Sequence, residues 1–193
     1  YDLPEMQAAN TRFWAALRSL LIAAGLADVP EALVFARGPV PDRLEPGLLF
    51  SQICGYPLET VFKGQAIRLG APLYAVPGCD NPQYAWPTHR AFFVVRVEST
   101  AQTLADLAGS VFLLNSPVSN SGMNLPRRAL AEIAAGRRFF RAVIETGGHA
   151  ASLDRLLRGE GDVASIDCVT YAFWRHYHPE AAARLRILGA TPV

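Results

Sequence analysis

The run Ala91-Phe92-Phe93-Val94-Val95-Arg96-Val97 constrains this chain more than any other stretch. It is almost continuously apolar and rich in aromatic and β-branched side chains, the pattern of a strand buried on both faces. Such a strand needs a covered sheet around it. Downstream, a short helical turn at 104–107 ending at Gly109 leads to a strand at 111–114 and a loop at 115–122. A helix to about residue 135, a strand at 140–144, a helix at 151–158, a strand at 163–166, a helix at 170–176 and a strand near 186–188 follow. Alternation of strand and helix at this spacing predicts an α/β fold with parallel sheets and right-handed crossovers.

Upstream of that strand the pattern is similar. Asp2-Leu3-Pro4-Glu5 offers an N-cap, a proline for the first turn and an acid three residues after the cap. The helix it opens carries Met6, Ala9, Phe13, Leu17, Leu20, Leu21 and Ala24 at three- and four-residue steps and stops at Gly25, so one face calls for a sheet. Strands are predicted at 48–51 and 72–76, with a short helix from Gly55 to about residue 63 between them. Residues 1–89 and 99–184 thus form two similar α/β units, joined by a strand within 90–98 and by a returning strand within 185–193.

Composition removes several functions. Half of the 193 residues are hydrophobic and only 18% are charged, with a net charge of +1, which suits a globular chain and gives no basic surface for nucleic acid. Lys63 is the only lysine, which removes the Gly-Lys-Ser/Thr phosphate loop. No apolar run reaches the ~18 residues of a membrane span. No signal peptide is visible, but the chain begins at Tyr1 rather than methionine, so that decides nothing about a leader. Cys54, Cys79 and Cys168 are too few and too scattered for a zinc site; a Cys54 to Cys79 bridge and buried thiols are both open readings. His176 and His178 alternate on a helix and do not share a face, so no metal and no cofactor is expected.

Three stretches carry chemistry. Asn115-Ser116-Pro117-Val118-Ser119-Asn120-Ser121-Gly122-Met123-Asn124 follows a strand and opens a helix, so hydroxyls, amides and free backbone N–H groups gather at a positive helix end suited to an anion. Pro126 must then occupy the first turn. Thr146-Gly147-Gly148-His149 repeats the strand-to-helix geometry and places His149 at a strand's carboxyl end, where open α/β sheets present ligand groups. Asp167 closes the strand at 163–166 and can accept the proton of a partly protonated oxyanion. Ser119, Ser121 and Asp167 equally suit plain helix capping, and His149 an ordinary loop. In the first unit Gln52 and Tyr56 hold the corresponding strand-end position and Tyr1 precedes the first helix; each also has a structural reading, as a turn residue or a partly buried aromatic.

Together, Tyr-Asp-Leu-Pro-Glu at the start, Phe50-Ser51-Gln52 with Cys54-Gly55-Tyr56-Pro57, the loop from Ser119 to Asn124, Thr146-Gly147-Gly148-His149 and the segment 162–167 resemble the phosphate, phosphite and phosphonate substrate-binding proteins of ABC transporters. The resemblance implies a two-lobed type II periplasmic-binding-protein fold closing around a two-strand hinge: first lobe 1–89, hinge strand 90–98, second lobe 99–184 and returning strand 185–193. It implies a chain incomplete at both ends, since relatives carry a strand before Tyr1 and a segment after Val193. It implies Ser119, Asn120 and Ser121 on phosphoryl oxygens, completed by Asn124, His149 and Asp167 and by Tyr1, Gln52 and Tyr56 from the first lobe. Asn120 stands where threonine is common and Gly148 where serine is common, which shifts or removes a donor. The loop 77–88, with Tyr84 and Trp86, would read the organic substituent.

The expected partners are a small oxyanion and a membrane permease, and the expected compartment is the periplasm or cell envelope. Neither nucleic acid nor direct membrane insertion is expected. A sensor of the same fold is the first alternative. A hydrolase using Cys168, His149 and Asp167 is the second, opposed by the opposite directions of adjacent side chains on a strand.

Overall fold

A computed structural model describes residues 1–35, 43–79 and 88–192. The chain divides into two compact units, Tyr1–Gly38 with Glu45–Gln52, and Pro39–Leu44 with Ile53–Val193. Tyr84 and Trp86 lie outside the described residues.

The smaller unit is built on one helix, α1 (Gln7–Ala23), entered through a 3-10 turn at Pro4–Met6. The predicted cap moves: Leu3 is the N-cap of that turn, and no side chain caps it, because Pro4 takes the first position and leaves Asp2 outside. Gly25 ends the helix with φ at +90°, the left-handed conformation that favours glycine. Trp14 is buried and stacks on Phe50 at 6.4 Å. Among the described residues no sheet forms beneath this helix: residues 48–51 form no strand, and Phe13 and Leu20 remain 61% and 68% exposed. Residues 72–76, in the larger unit, form none either. A strand exists only as one side of a hydrogen-bonded ladder, and no strand among the described residues pairs with either segment.

The larger unit contains the short helix α2 (Gly55–Glu59), then β1 (Ala91–Arg96), β2 (Val111–Leu114), α3 (Leu125–Ala134) and β3 (Ala142–Glu145). It continues through α4 (His149–Leu157), β4 (Val163–Asp167), α5 (Cys168–Tyr177), α6 (Pro179–Ala182) and β5 (Leu185–Ala190). The strands form one sheet in the order β3-β2-β4-β1-β5. The expected all-parallel sheet is corrected to a mixed one. β2 is parallel to β3 and β4, whereas β1 is antiparallel to both β4 and β5, with a bulge at Phe93/Val94 in its pairing with β5. Strand-helix alternation fixes the sense of β2, β3 and β4 and also of β5, which is parallel to β4 across the α5 and α6 crossover; β1 alone runs against the other strands.

β1 fulfils its apolar pattern: Ala91, Phe93, Val94 and Val95 are fully buried and Phe92 nearly so. Its alternate side chains serve two cores. Phe93 and Val95 pack with Leu107, Phe112, Leu114, Leu130 and Val163 on one face, while Phe92 meets Tyr171 of α5 edge-on at 5.8 Å on the other. Each such Phe or Val stabilises the fold by roughly 1.5–3 kcal/mol. Arg96 closes the strand by donating to the carbonyls of Leu156 and Gly161, at and beyond the carboxyl end of α4, where a cation complements the negative end of the helix.

Candidate functional site

Strand ends and the turns that follow them converge at one point of the larger unit. After β2, Asn115 leads into a turn whose N-cap is Ser119, with a wide helical turn at Asn120–Asn124 running into α3. Pro126 sits in the first turn of α3, as its missing N–H requires. After β3, Thr146 bonds the carbonyl of Leu114 through its own amide (2.8 Å) and Ser152 through its hydroxyl (2.6 Å), locking the turn that delivers His149 as the first residue of α4. Gly147 takes a φ of +84° within that turn. Period-two alternation along β4 puts Val163, Ser165 and Asp167 on one face, the same face as Phe93.

These elements bring Ser119, Ser121, His149 and Asp167 together. Ser121 Oγ lies 2.8 Å from His149 Nε2, and Asp167 Oδ2 lies 3.5 Å from the same nitrogen. Ser119 Oγ accepts from the Gly122 amide at 3.0 Å and from Asn115 Nδ2 at 3.1 Å. Asn115 Nδ2 also reaches His149 Nε2 at 3.3 Å. Asp167 Oδ1 accepts from the Thr170 amide at 2.8 Å, and His89 Nε2 stands 3.7 Å away. Ser119 and Asp167 are therefore both caps and site residues. Capping leaves the Ser119 hydroxyl hydrogen and one Asp167 oxygen unspent, because a hydroxyl has two acceptor lone pairs besides its proton.

Electrostatics sort the two titratable groups. Burial alone would raise the Asp167 carboxyl, but hydrogen bonding from His89, the charge of His149 and the donors of Thr170 outweigh it and hold it at about 2. Burial dominates at His149 and lowers its proton affinity against the pull of Asp167. At neutral pH the pair is an ionised carboxylate beside a neutral imidazole. Two buried polar atoms here, Asn115 Oδ1 and His149 Nδ1, make no hydrogen bond among the described residues.

Asn120 and Asn124 bond each other through their side chains at 3.0 Å. Tyr56 is on α2, which packs against the Asn120–Asn124 turn, and is 37% exposed. Tyr1 and Gln52 meet within the smaller unit, where the Tyr1 backbone nitrogen donates to Gln52 Oε1 at 2.7 Å. The structure adds four residues that the sequence reading did not assign to the site. Asn115 is the first residue after a strand end, and Ser165 stands two before Asp167 on the same face, both readable signals. Thr170 is three residues after a capping aspartate. His89 carries no local signal; it arrives because Ala91 pairs antiparallel with Asp167.

The cysteine pairing differs from the one considered. Cys54 is exposed, while Cys79 Sγ lies 2.9 Å from Cys168 Sγ. Cys168 is the first residue of α5, not a strand residue, and burial raises its thiol, so it is neither paired with His149 nor poised as a thiolate. No group of three or more His, Cys, Asp or Glu among the described residues could hold a metal ion. No helix among them is long and apolar enough to cross a membrane.

Residues 71–193 match the family described as ABC transporter, phosphonate, periplasmic substrate-binding protein, and the chain belongs to that family. Its members bind substrates and are not enzymes. No curated protein matches the chain. Among solved structures it is similar to XAC2383 from Xanthomonas citri bound to chloride ion, at 23% identity over 54% of this chain and 41% of that one, with a TM-score of 0.48. A binding protein component of an ABC phosphonate transporter from Pseudomonas aeruginosa shares 18% identity over 54% and 36%, with a TM-score of 0.47. PhnD1 from Prochlorococcus marinus in complex with methylphosphonate shares 20% over 54% and 41%, with a TM-score of 0.48. The chain spans about two fifths of the length of these proteins.

Proposed function

We propose that this chain is the ligand-capturing part of an ABC importer's substrate-binding protein in the cell envelope, and that its ligand is a small, partly protonated oxyanion: phosphate, phosphite or a phosphonate. The juxtaposition of Ser121 Oγ, His149 Nε2 and the ionised Asp167 carboxylate is the observation that carries this reading. Hydroxyl donors and the first amides of a helical turn stabilise negative oxygen. A fixed carboxylate beside them accepts the ligand's own O–H and repels a ligand that has no proton to give.

In this reading residues 90–98 and 185–193 act as the hinge of a two-lobed receptor, and closure follows from contacts made only in the closed state. Tyr1, Gln52, Tyr56, Asn120 and Asn124 enter as ligand contacts on the family resemblance alone. The permease partner follows from the family's role.

The test is a calorimetric and thermal-shift series with phosphate, phosphite, methylphosphonate and sulfate. One of the first three is expected to bind and raise the melting temperature by mass action, while sulfate does not. Ser121→Ala combined with His149→Ala should remove that response and leave the far-UV spectrum intact. Undiminished binding of every such anion by the double variant would refute the site.

A further inference from the structure

We infer that Cys79 and Cys168 form an intramolecular disulfide in an oxidising compartment, tying the turn at Cys79 to the strand end that carries Asp167. The two sulfurs stand 2.9 Å apart, closer than unbonded sulfurs pack and a short step from the ~2.05 Å of a bond. The approach is built into the backbone on both sides. Gly78 takes a φ of +92°, and a Cβ there would come within 2.7 Å of Phe92 Cζ and 2.9 Å of Cys168 Cβ, so only glycine lets the loop lie this close. The Cys79 amide donates to the Val76 carbonyl at 3.0 Å, and its carbonyl accepts from the Thr88 hydroxyl at 2.6 Å. Cys168 is held through its amide to the Arg90 carbonyl at 3.1 Å.

The two thiols have different parts. Cys79 is partly accessible, so its thiolate attacks one sulfur of a small disulfide such as oxidised glutathione, releasing one thiol and leaving a mixed disulfide. Cys168, fully buried, then loses its proton and attacks the Cys79 sulfur, releasing the second thiol. Two protein thiols are oxidised and one small disulfide is reduced to two thiols. The bond spans 89 positions of chain and removes much unfolded-state freedom, with the end of β4 held against the start of β1. Cys54 takes no part in this contact and stays a thiol.

The test is incubation of the chain with oxidised glutathione, followed by thiol titration in denaturant and mass spectrometry of a non-reduced digest. The expected result is one titratable thiol and a linked peptide pair containing Cys79 and Cys168, preserved in Cys54→Ala and lost in Cys79→Ser. Addition of reductant should lower the melting temperature of the parent by about 5–10 °C and leave that of Cys79→Ser unchanged. Three titratable thiols after oxidation, a bridge through Cys54, cross-links only between chains, or an equal response to reductant in Cys79→Ser would each overturn the inference. Cys79→Ser removes the partly exposed partner, so the comparison does not depend on a substitution in the core.

Discussion

The hydroxyl of Ser165 donates to the backbone carbonyl of Ser121 at 2.7 Å, so the middle of β4 holds the turn from which Ser121 faces His149. Both residues are buried, and the bond is the link between the rigid centre of the sheet and the least regular part of the site.

Ser165→Ala leaves the Ser121 carbonyl buried without that donor. The expected loss of stability is about 1–3 kcal/mol by urea denaturation, accompanied by weaker anion binding as the turn loosens. Wild-type affinity in a variant destabilised by that amount would separate the anchor from the ligand contacts.

Asp167→Asn keeps a side-chain oxygen for the Thr170 amide while removing the negative charge. Phosphate or phosphonate affinity should fall by about tenfold or more, and discrimination against sulfate should shrink, because the repulsion of a fully ionised ligand disappears. Isothermal titration of the two anions against both proteins checks the ratio.

Stability should depend on acid in two steps. His149 has a depressed proton affinity in the fold, so below about pH 6.5, where the unfolded imidazole takes up a proton, the unfolded chain gains relative to the folded one. Stabilisation is full above that pH and is lost as pH falls through the folded value. Asp167, at about 2 in the fold against ~3.9 unfolded, adds a second loss below about pH 4 on the order of 2 kcal/mol. Melting curves from pH 8 to 4 should show the first step, and His149→Gln should flatten it.

Gly122→Ala should be poorly tolerated despite its ordinary backbone angles. The added Cβ would fall 1.7 Å from Asn115 Oδ1 and 2.7 Å from its Cγ, and that amide is held by Ser119 and His149. A loss of about 1–3 kcal/mol is expected from overpacking, with a parallel loss of anion affinity. Chemical denaturation and titration calorimetry of the variant check both.

The local patterns of this chain determined much by themselves. The apolar run at 91–97, the strand at 111–114 and the capping signatures at Ser119 and Asp167 follow from periodicity and side-chain chemistry acting over a few residues, and each appears where those rules put it. The serine turn, His149 and Asp167 were legible for the same reason: each ends a strand and begins a helix. The strands at 48–51 and 72–76 failed because a strand's existence depends on a partner that no local window contains.

Tertiary structure alone decided the direction of β1. Its antiparallel pairing with β4 sets Ala91 against Asp167, bringing His89 to the carboxylate and Cys79 to Cys168. Sequence periodicity records which faces are buried but not the sense in which two strands meet, because side-chain alternation is identical in parallel and antiparallel ladders.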